Sequence, residues 1–325
     1  MTTAFPLELL LRLDQVRSDG PGVRVFDFVH AEGGPLPPFD AGAHLLLEAA
    51  PGTVRSYSLC NDPAESARYQ LAVLREPASS GGSAAMHMLE PGQIVRASQP
   101  RNAFPLDEQA PCSVLVAGGI GITPMLAMAE RLLRLGREFE LHYCCRDRAR
   151  AAFLAHLAQP RFNGRVHLHF DDEAPAQRFD AQQVLSSCEV GTQVYMCGPQ
   201  GFMDSLVRTA RTLQLPEASL HREDFTGVVL EGEAAADGPF EMVLAASGRI
   251  VSVARGQTAL DALERAGVPV FSSCAQGICG TCAVGVLGGE PDHRDHCLTE
   301  EVRARNDCFL PCCSRSRSPQ LVVDL

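Results

Sequence analysis

The chain contains no lysine; all 28 of its Lys/Arg positions are arginine. That excludes Schiff-base catalysis and the phosphate-binding lysine of a P-loop. Every basic contact to a phosphate must come from arginine, histidine or backbone N–H. Positive charge is also in deficit, with 39 acidic residues and a net charge of −11 at pH 7. This argues against a nucleic-acid partner, whose binding rests on basic surface that neutralises phosphates. No membrane partner is expected either. The uncharged run from Ala110 to Ala129 is interrupted by Pro111, Gly118, Gly119, Gly121 and Pro124, and reads as strand, turn and helix start rather than a spanning helix. The N-terminal stretch MTTAFPLELLLRLDQ lacks a basic leader and is broken by Glu8, so no secretory signal is expected. No internal repeat is visible.

Cysteine, by contrast, is abundant, at 13 residues. Kept reduced, they point to the cytoplasm. Cys274, Cys279 and Cys282 lie in FSSCAQGICGTCAVGVL, a C-x4-C-x2-C loop. With one distant fourth cysteine this is the ligand spacing of a plant-type 2Fe–2S cluster. Gly277 and Gly280 let a short loop fold around an inorganic core and aim N–H groups at its sulfurs. Structural zinc favours two closely spaced pairs, whereas the first group here has three cysteines. Cys297, Cys308, Cys312 and Cys313 are all placed to be the fourth ligand. Cys60, Cys112, Cys144, Cys145, Cys188 and Cys197 lie in or beside strand-like runs and read as small apolar residues.

At 325 residues and 46% hydrophobic, the chain has room for two or three domains. Residues 1–106 show short alternating runs (VRVFDFVHA, HLLLEA, RSYSL, YQLAVLRE) punctuated by Gly, Pro, Asp and Asn, the pattern of an antiparallel barrel. Residues 107–226 alternate strands with helices, as in CSVLVAGG then PMLAMAERLLRLG, which predicts a doubly wound parallel sheet. Residues 227–238 read as an acidic linker. Residues 239–325 hold a hairpin, FEMVLAASGRIVSVARG, a helix, TALDALERAG, and the cysteine loop.

Two glycine turns follow strands in the middle section, VAGGIGITPML and MCGPQGFM. Each lets backbone approach a pyrophosphate at a helix start, and two such turns suit a dinucleotide lying across the carboxyl edge of one sheet. The first is not the Rossmann G-x-G-x-x-G. In RSYSLCN, strand alternation puts Arg55 and Tyr57 on one face and Ser56 and Ser58 on the other. A flavin needs an aromatic or apolar wall, a hydrogen-bond partner and a cation for its phosphate. Gly81, Gly82 and Ser83 resemble a backbone nest for that phosphate. The plain alternative is that Tyr57 packs the barrel and the Gly-Gly-Ser run is an ordinary loop.

In this order the motifs resemble the ferredoxin–NADP reductase superfamily, whose flavin motif is R-x-Y-S, and especially the phthalate dioxygenase reductase family. The resemblance runs over essentially all 325 residues, through PRNAFPL, AGGIGITPML, YCCR, CGPQGFM, SCAQGICGTC and PCCSRS. FDAGAHL, RSYSLCNDP and PDHRD are most similar to the reductase components of vanillate O-demethylases. The resemblance implies an FMN-binding barrel, an NADH-binding α/β domain and a β-grasp ferredoxin domain. It places FMN at Arg55, Ser56, Tyr57 and Ser58, with its phosphate at Gly81, Gly82 and Ser83. Thr123 falls where flavin and nicotinamide meet, Gly119 and Gly121 are cofactor-binding residues of the first glycine turn, and Cys145, Arg146, Cys197, Gly198 and Pro199 border the NADH site. Phe225 would cover the flavin ring, and Ser58, Thr123, Cys197 and Phe225 form the expected catalytic set. Cys274, Cys279, Cys282 and Cys312 would hold the cluster, although the tandem Cys312-Cys313 departs from the single cysteine expected there.

The implied activity is a relay from NADH through FMN and the cluster, one electron at a time, to a terminal Rieske non-haem iron oxygenase, with the reductase a monomer. Arg146, Arg148 and Arg150 could offer a cation to a 2′-phosphate, but the resemblance implies NADH. Two rival readings are a redox-sensing or electron-storage module without NADH turnover, and an NADH-dependent flavin reductase. Glu290, Asp292, Asp295, Glu300 and Glu301 are expected to make an acidic docking patch in the last section.

Overall fold

The computed structural model describes residues 7–51, 53–76, 81–174, 177–225, 238–270, 272, 277, 280–295 and 298–325. They fall in two compact units, Leu7–Phe225 and a C-terminal unit that begins after Phe225. The expected division at residue 106 lies inside the first unit.

The first unit opens with β1 (Leu9–Ser18), β2 (Val23–His30), β3 (His44–Ala50), β4 (Thr53–Ser58), β5 (Tyr69–Leu74), α1 (Gly82–Met86) and β6 (Ile94–Ala97). Period-2 alternation makes β1 a strand: Leu9, Leu11 and Leu13 are buried while Leu10 and Arg12 face out. The strands pair antiparallel in the order β4-β3-β6-β1-β2-β5. The two ends of that sheet approach each other through a Leu59–Leu71 bridge and the Cys60 N–H donating to the Gln70 carbonyl at 3.0 Å. The result is a nearly closed barrel filled by Leu11, Leu13, Phe26, Phe28, Leu45 and Tyr69.

The same unit continues through β7 (Cys112–Gly118), α2 (Ile122–Leu135), β8 (Glu138–Cys145), α3 (Leu154–Leu157), β9 (Val166–Phe170), α4 (Ala181–Ser186), β10 (Gln193–Cys197), α5 (Gln200–Thr212) and β11 (Leu220–Glu223). These five strands are all parallel, in the order β11-β10-β7-β8-β9. Both faces are covered. Leu115, Ala117, Leu141 and Tyr143 pack with α2, and Val114, Val116, Val194 and Met196 pack with Met203 and Leu206 of α5. Burial on both faces explains the continuous apolar runs of β7 and β10. The uncharged run at Ala110–Ala129 is thus β7, a turn and the start of α2. Among the described residues no helix is long and apolar enough to cross a membrane.

Barrel and parallel sheet share one core, in which Val23, Val25, Ala41 and Phe104 pack with residues of α2. Phe104 meets Tyr195 of β10 edge-on at 5.7 Å, and the Tyr195 hydroxyl accepts the Asp107 N–H at 2.7 Å. Gly42 lies at this junction with φ +90°.

The C-terminal unit comprises β12 (Phe240–Leu244), β13 (Ile250–Val253), α6 (Ala259–Arg265), β14 (Val284–Gly288), β15 (Pro291–Asp292), α7 (Glu300–Arg305), β16 (Cys308–Phe309), β17 (Arg315–Ser316) and β18 (Gln320–Val323). Its main sheet runs β13-β12-β18-β14-β16, with β12 and β18 parallel. The helix α6, capped by the Thr258 hydroxyl, covers a core of Met242, Val253, Leu263 and Phe309, which is the β-grasp arrangement.

A methyl group at position 42 would lie 1.9 Å from the Phe104 carbonyl oxygen, on a backbone that L-residues rarely adopt. Gly42→Ala is therefore expected to lower unfolding stability by roughly 2–4 kcal/mol. Urea unfolding followed by circular dichroism measures this, and an unchanged midpoint would show that the junction yields without cost.

Candidate functional site

The site begins with two turns pressed against each other. In the sheet order, the chain direction of travel reverses between β7 and β10, the switch point where parallel sheets open a ligand crevice. A Cβ on Gly121 would lie 2.2 Å from the Cys197 carbonyl oxygen, and one on Gly198 would lie 2.9 Å from Gly118 Cα. The Pro199 ring in turn leaves no room for a Cβ on Gly118. Gly118, Gly121 and Gly198 are thus required by backbone packing, a reason that the sequence pattern does not distinguish from ligand approach. Gly119, with φ +56° and open space at its Cβ position, keeps its surface clear. The Thr123 side chain is buried in the first turn of α2, where its hydroxyl donates to the Ile120 carbonyl at 3.1 Å.

Opposite this switch point stands the barrel strand β4. Ser58, at its end, donates from Oγ to Oε2 of Glu223 at 3.1 Å. Glu223 ends β11 and is the register partner of Cys197 on β10. Hydroxyl, carboxyl and thiol therefore come together from three strands separated widely in sequence. Burial pushes the Glu223 carboxyl up to about 8, against the Ser58 hydroxyl and with the charge of Asp224 adding to the rise. Burial likewise pushes the Cys197 thiol well up, reinforced by Glu223 and Asp224, so it remains a neutral thiol. Asp224 is itself tied by both oxygens to Arg222, at 2.7 Å each. Sequence reading placed Ser58 and Cys197 here but missed Glu223, which sits in an unremarkable LHRE run. Its available signal was position, as the last residue of a fifth parallel strand.

On the other side of β4, the stem of Arg55 lies along Gly82, where a Cβ would be 2.5 Å from Arg55 Cγ. The arginine and the Gly81–Ser83 turn are thereby held side by side, a cation next to the start of α1. The Ser83 hydroxyl accepts the Glu76 N–H at 3.1 Å. Tyr57 packs its ring against the barrel core. Burial, with Arg55 opposing, pushes its phenol up to about 12, so it stays a neutral wall. Ser56 shares the Ser58 face, as alternation requires.

Cys145 ends β8 buried, and Arg146 follows it exposed. Of the other two arginines there, Arg148 lies over the Phe170 ring at 4.8 Å and Arg150 pairs with Asp147 at 3.0 Å. Asp171 and Asp172 donate their N–H groups to the Cys145 and Arg146 carbonyls, at 3.0 and 3.2 Å, bringing two carboxylates to that edge. Phe225, the last residue of the first unit, is 38% exposed, an aromatic ring left in the open next to Asp224.

In the C-terminal unit Cys282, Cys312 and Cys313 are all buried together. The Gly277 N–H donates to Cys312 Sγ at 3.1 Å. The Cys313 thiol instead turns to the Leu310 carbonyl at 3.8 Å, and a Cβ on Gly277, whose φ is +76°, would collide with it. Soft thiol donors with an N–H aimed at sulfur are what an iron–sulfur cluster requires, so the residues present fit that group. Cys274, Cys279 and Cys297 lie outside the described residues.

The expected acidic patch requires correction. Asp295 is buried at 3% exposure, accepting the Leu298 N–H at 2.8 Å. Asp292 pairs with Arg294 at 2.6 Å, and Arg317 reaches both Asp292 and Glu290. Only Glu300 and Glu301, in the first turn of α7, stand without such neutralisation in the described ion pairs. Arg294 supplies counter-charge from within the run itself, and Arg317 adds a second guanidinium from a distant segment that the local run GGEPDHRDHCLTEE does not reveal.

Two outcomes follow from this geometry. A carboxyl whose pKa is about 8 folded and near 4.5 unfolded stays protonated in the native protein across that interval. Its contribution to stability is complete below pH 4.5 and is lost as pH rises through 8. Relative to Glu223→Gln, the parent protein should lose unfolding free energy steadily between those limits, as denaturant titrations at several pH values measure. Parallel curves would show that the carboxyl is not perturbed. In the second unit, Cys312→Ser should abolish the cluster's visible absorbance and at least about 90% of bound iron, while Cys313→Ser retains both. The reverse result would assign the fourth ligand to Cys313.

Comparison with known proteins agrees with this construction. Residues 243–317 match the 2Fe-2S iron-sulfur cluster binding domain, and residues 94–220 match the N-terminal domain of the dimethylamine monooxygenase subunit DmmA-like family. The chain is 46% identical over 300 residues to a vanillate O-demethylase oxidoreductase of Pseudomonas sp. (strain HR199 / DSM 7063), covering 92% of this chain and 94% of the relative. Among solved structures, it superposes on phthalate dioxygenase reductase, described as a modular structure for electron transfer from pyridine nucleotides to 2Fe–2S, with a TM-score of 0.72, 37% identity and 98% of each chain covered. It also matches an intact type IV self-sufficient cytochrome P450 monooxygenase, with a TM-score of 0.85 and 37% identity over 98% of this chain and 41% of that one. A nearly closed barrel joined to a parallel sheet, followed by a β-grasp unit with paired cysteines, is shared over the full length, and the chain belongs to the phthalate dioxygenase reductase family of oxidoreductases.

Proposed function

We propose that this chain is the reductase component of a two-protein oxygenase system, taking electrons from NADH and delivering them singly to a separate terminal oxygenase. The observation that carries the reading is the presence, in one chain, of two separate parts: a cluster-binding β-grasp unit, and a parallel-sheet switch point that faces a barrel. When bound, FMN and the 2Fe–2S cluster convert a two-electron donation into single electrons. Everything else falls to the residues. Arg55 and the Gly81–Ser83 turn would hold the flavin phosphate, with Tyr57 as the neutral wall. Gly119, Gly121, Thr123, Cys197, Gly198 and Pro199 would border the pyridine nucleotide. Ser58 Oγ and the protonated Glu223 carboxyl would keep a proton at the barrel edge without placing a charge there. Phe225, exposed and apolar, would cover the flavin ring until the nucleotide arrives.

Two features support NADH over NADPH. Arg148 and Arg150 are engaged elsewhere, and Asp171 and Asp172 add negative charge where a 2′-phosphate would lie. A Rieske non-haem iron centre is the proposed acceptor, since a plant-type cluster near about −400 mV is a strong donor to it. The likeness to a cytochrome P450 chain favours a haem oxygenase as the second reading. The proposal places the reductase in the cytoplasm as a monomer.

Purified protein should release FMN on acid treatment and oxidise NADH steadily with either ferricyanide or cytochrome c as acceptor. Cys279→Ser should keep ferricyanide reduction and lose about 90% or more of cytochrome c reduction, because only the second route needs the cluster. Absence of NADH turnover would favour a sensing or storage module, and unchanged cytochrome c reduction would favour a plain flavin reductase.

A further inference from the structure

The parallel sheet carries a second group of ligating side chains, away from the switch point. Glu140 and His142 lie on β8, and His167 and His169 on the edge strand β9. His142 and His167 are register partners, and the period-2 alternation puts all four side chains on the face opposite α2. The His142 ring is stacked between its neighbours, with centroids 4.8 Å from His167 at 17° and 5.4 Å from His169 at 19°. Three imidazoles and a carboxylate in one place serve no step of the electron relay.

Their hydrogen bonds fix the protons. His169 Nδ1 faces the Gln177 carbonyl at 3.4 Å, and a carbonyl can only accept, so Nδ1 carries the hydrogen and Nε2 is bare. His142 Nδ1, 3.1 Å from that bare nitrogen, must therefore be the donor. Neutral His142 is then left with a lone pair on Nε2, aimed at the Glu140 carboxylate oxygen 3.3 Å away. Two electron-rich atoms at that separation need a cation between them. The third group, His167, has a buried Nε2 with no hydrogen-bond partner among the described residues.

We propose that Glu140, His142 and His167 form a binding site for a zinc-class divalent metal, clipping β8 to the edge strand β9. Ligating atoms of the three residues all lie within 4.8 Å of one another. The 3.3 Å between His142 Nε2 and Glu140 is close to the edge of a tetrahedron with bonds of about 2.0–2.1 Å. The half-buried His167 closes the third vertex by a small rotation about its side chain. Glu140 is exposed, so the fourth position opens to water. His169 completes the arrangement as the outer partner that sets the tautomer and ring orientation of His142.

Calorimetric titration of the flavin- and cluster-loaded protein with zinc chloride tests the site, with His167→Ala and Glu140→Gln as variants that leave the buried His142 in place. Loss of an outer-shell partner alone typically costs about 10–100-fold in affinity. Loss of either ligand should therefore weaken zinc binding by about 100-fold or more, with flavin and cluster absorbance unchanged. Because cysteines also bind zinc, X-ray absorption at one equivalent of metal supplies the second readout. A nitrogen and oxygen shell near about 2.0 Å, lost in the His167→Ala protein, supports the site. A sulfur shell near about 2.3 Å, or equal affinity in parent and variants, overturns it.

Discussion

The contact between the turns after β7 and β10 is the constraint on which the first unit depends. There backbone meets backbone: Gly121 against the Cys197 carbonyl, and Gly198 against Gly118. Any side chain at these points would force the two strand ends apart. Their closeness sets where Cys197 stands, and the parallel pairing of β10 with β11 then sets where Glu223 stands. The barrel contributes Ser58 only because Phe104 and its neighbours dock on the same core as α2. Packing comes first, and the polar group at the crevice follows from it.

The chemistry of that crevice is governed by charge economy. Burial pushes the Glu223 carboxyl up, while Arg222 grips both oxygens of the neighbouring Asp224. Without lysine, the long cationic anchors are arginines. Arg68 satisfies the buried Asp27 of β2 at 2.8 Å. In the C-terminal unit the buried Arg315 donates to the Gly238 and Ala254 carbonyls and stacks over Phe240 at 5.3 Å. A planar guanidinium with five donors suits such multi-carbonyl contacts, which a lysine ammonium could not reproduce in the same geometry.

The architecture was legible because it is written in local patterns. Alternation of period 2 in VRVFDFVH, continuous apolar strands followed by helices from Cys112 to Thr212, and the cysteine spacing each depend on residues close in the chain. Even β1, passed over as an apolar N-terminal stretch, shows the alternation Leu9, Leu11, Leu13 that its strand requires. Motif positions such as Ser58, Cys197 and Arg55 were legible for the same reason.

What only the tertiary structure decided are relations between distant segments. The hydrogen bond from Ser58 to Glu223 joins residues 165 positions apart, and the shift it accompanies is created by burial that no local pattern encodes. The acidic run near Glu290 lost its meaning once Arg317 and the burial of Asp295 were in view. Glu140, His142 and His167 are ordinary strand residues until the parallel register of β8 and β9 sets them on one face. Periodicity and spacing determine which elements form and which chemistry the chain can hold. Long-range pairing and desolvation determine which side chains meet, and in what state of charge.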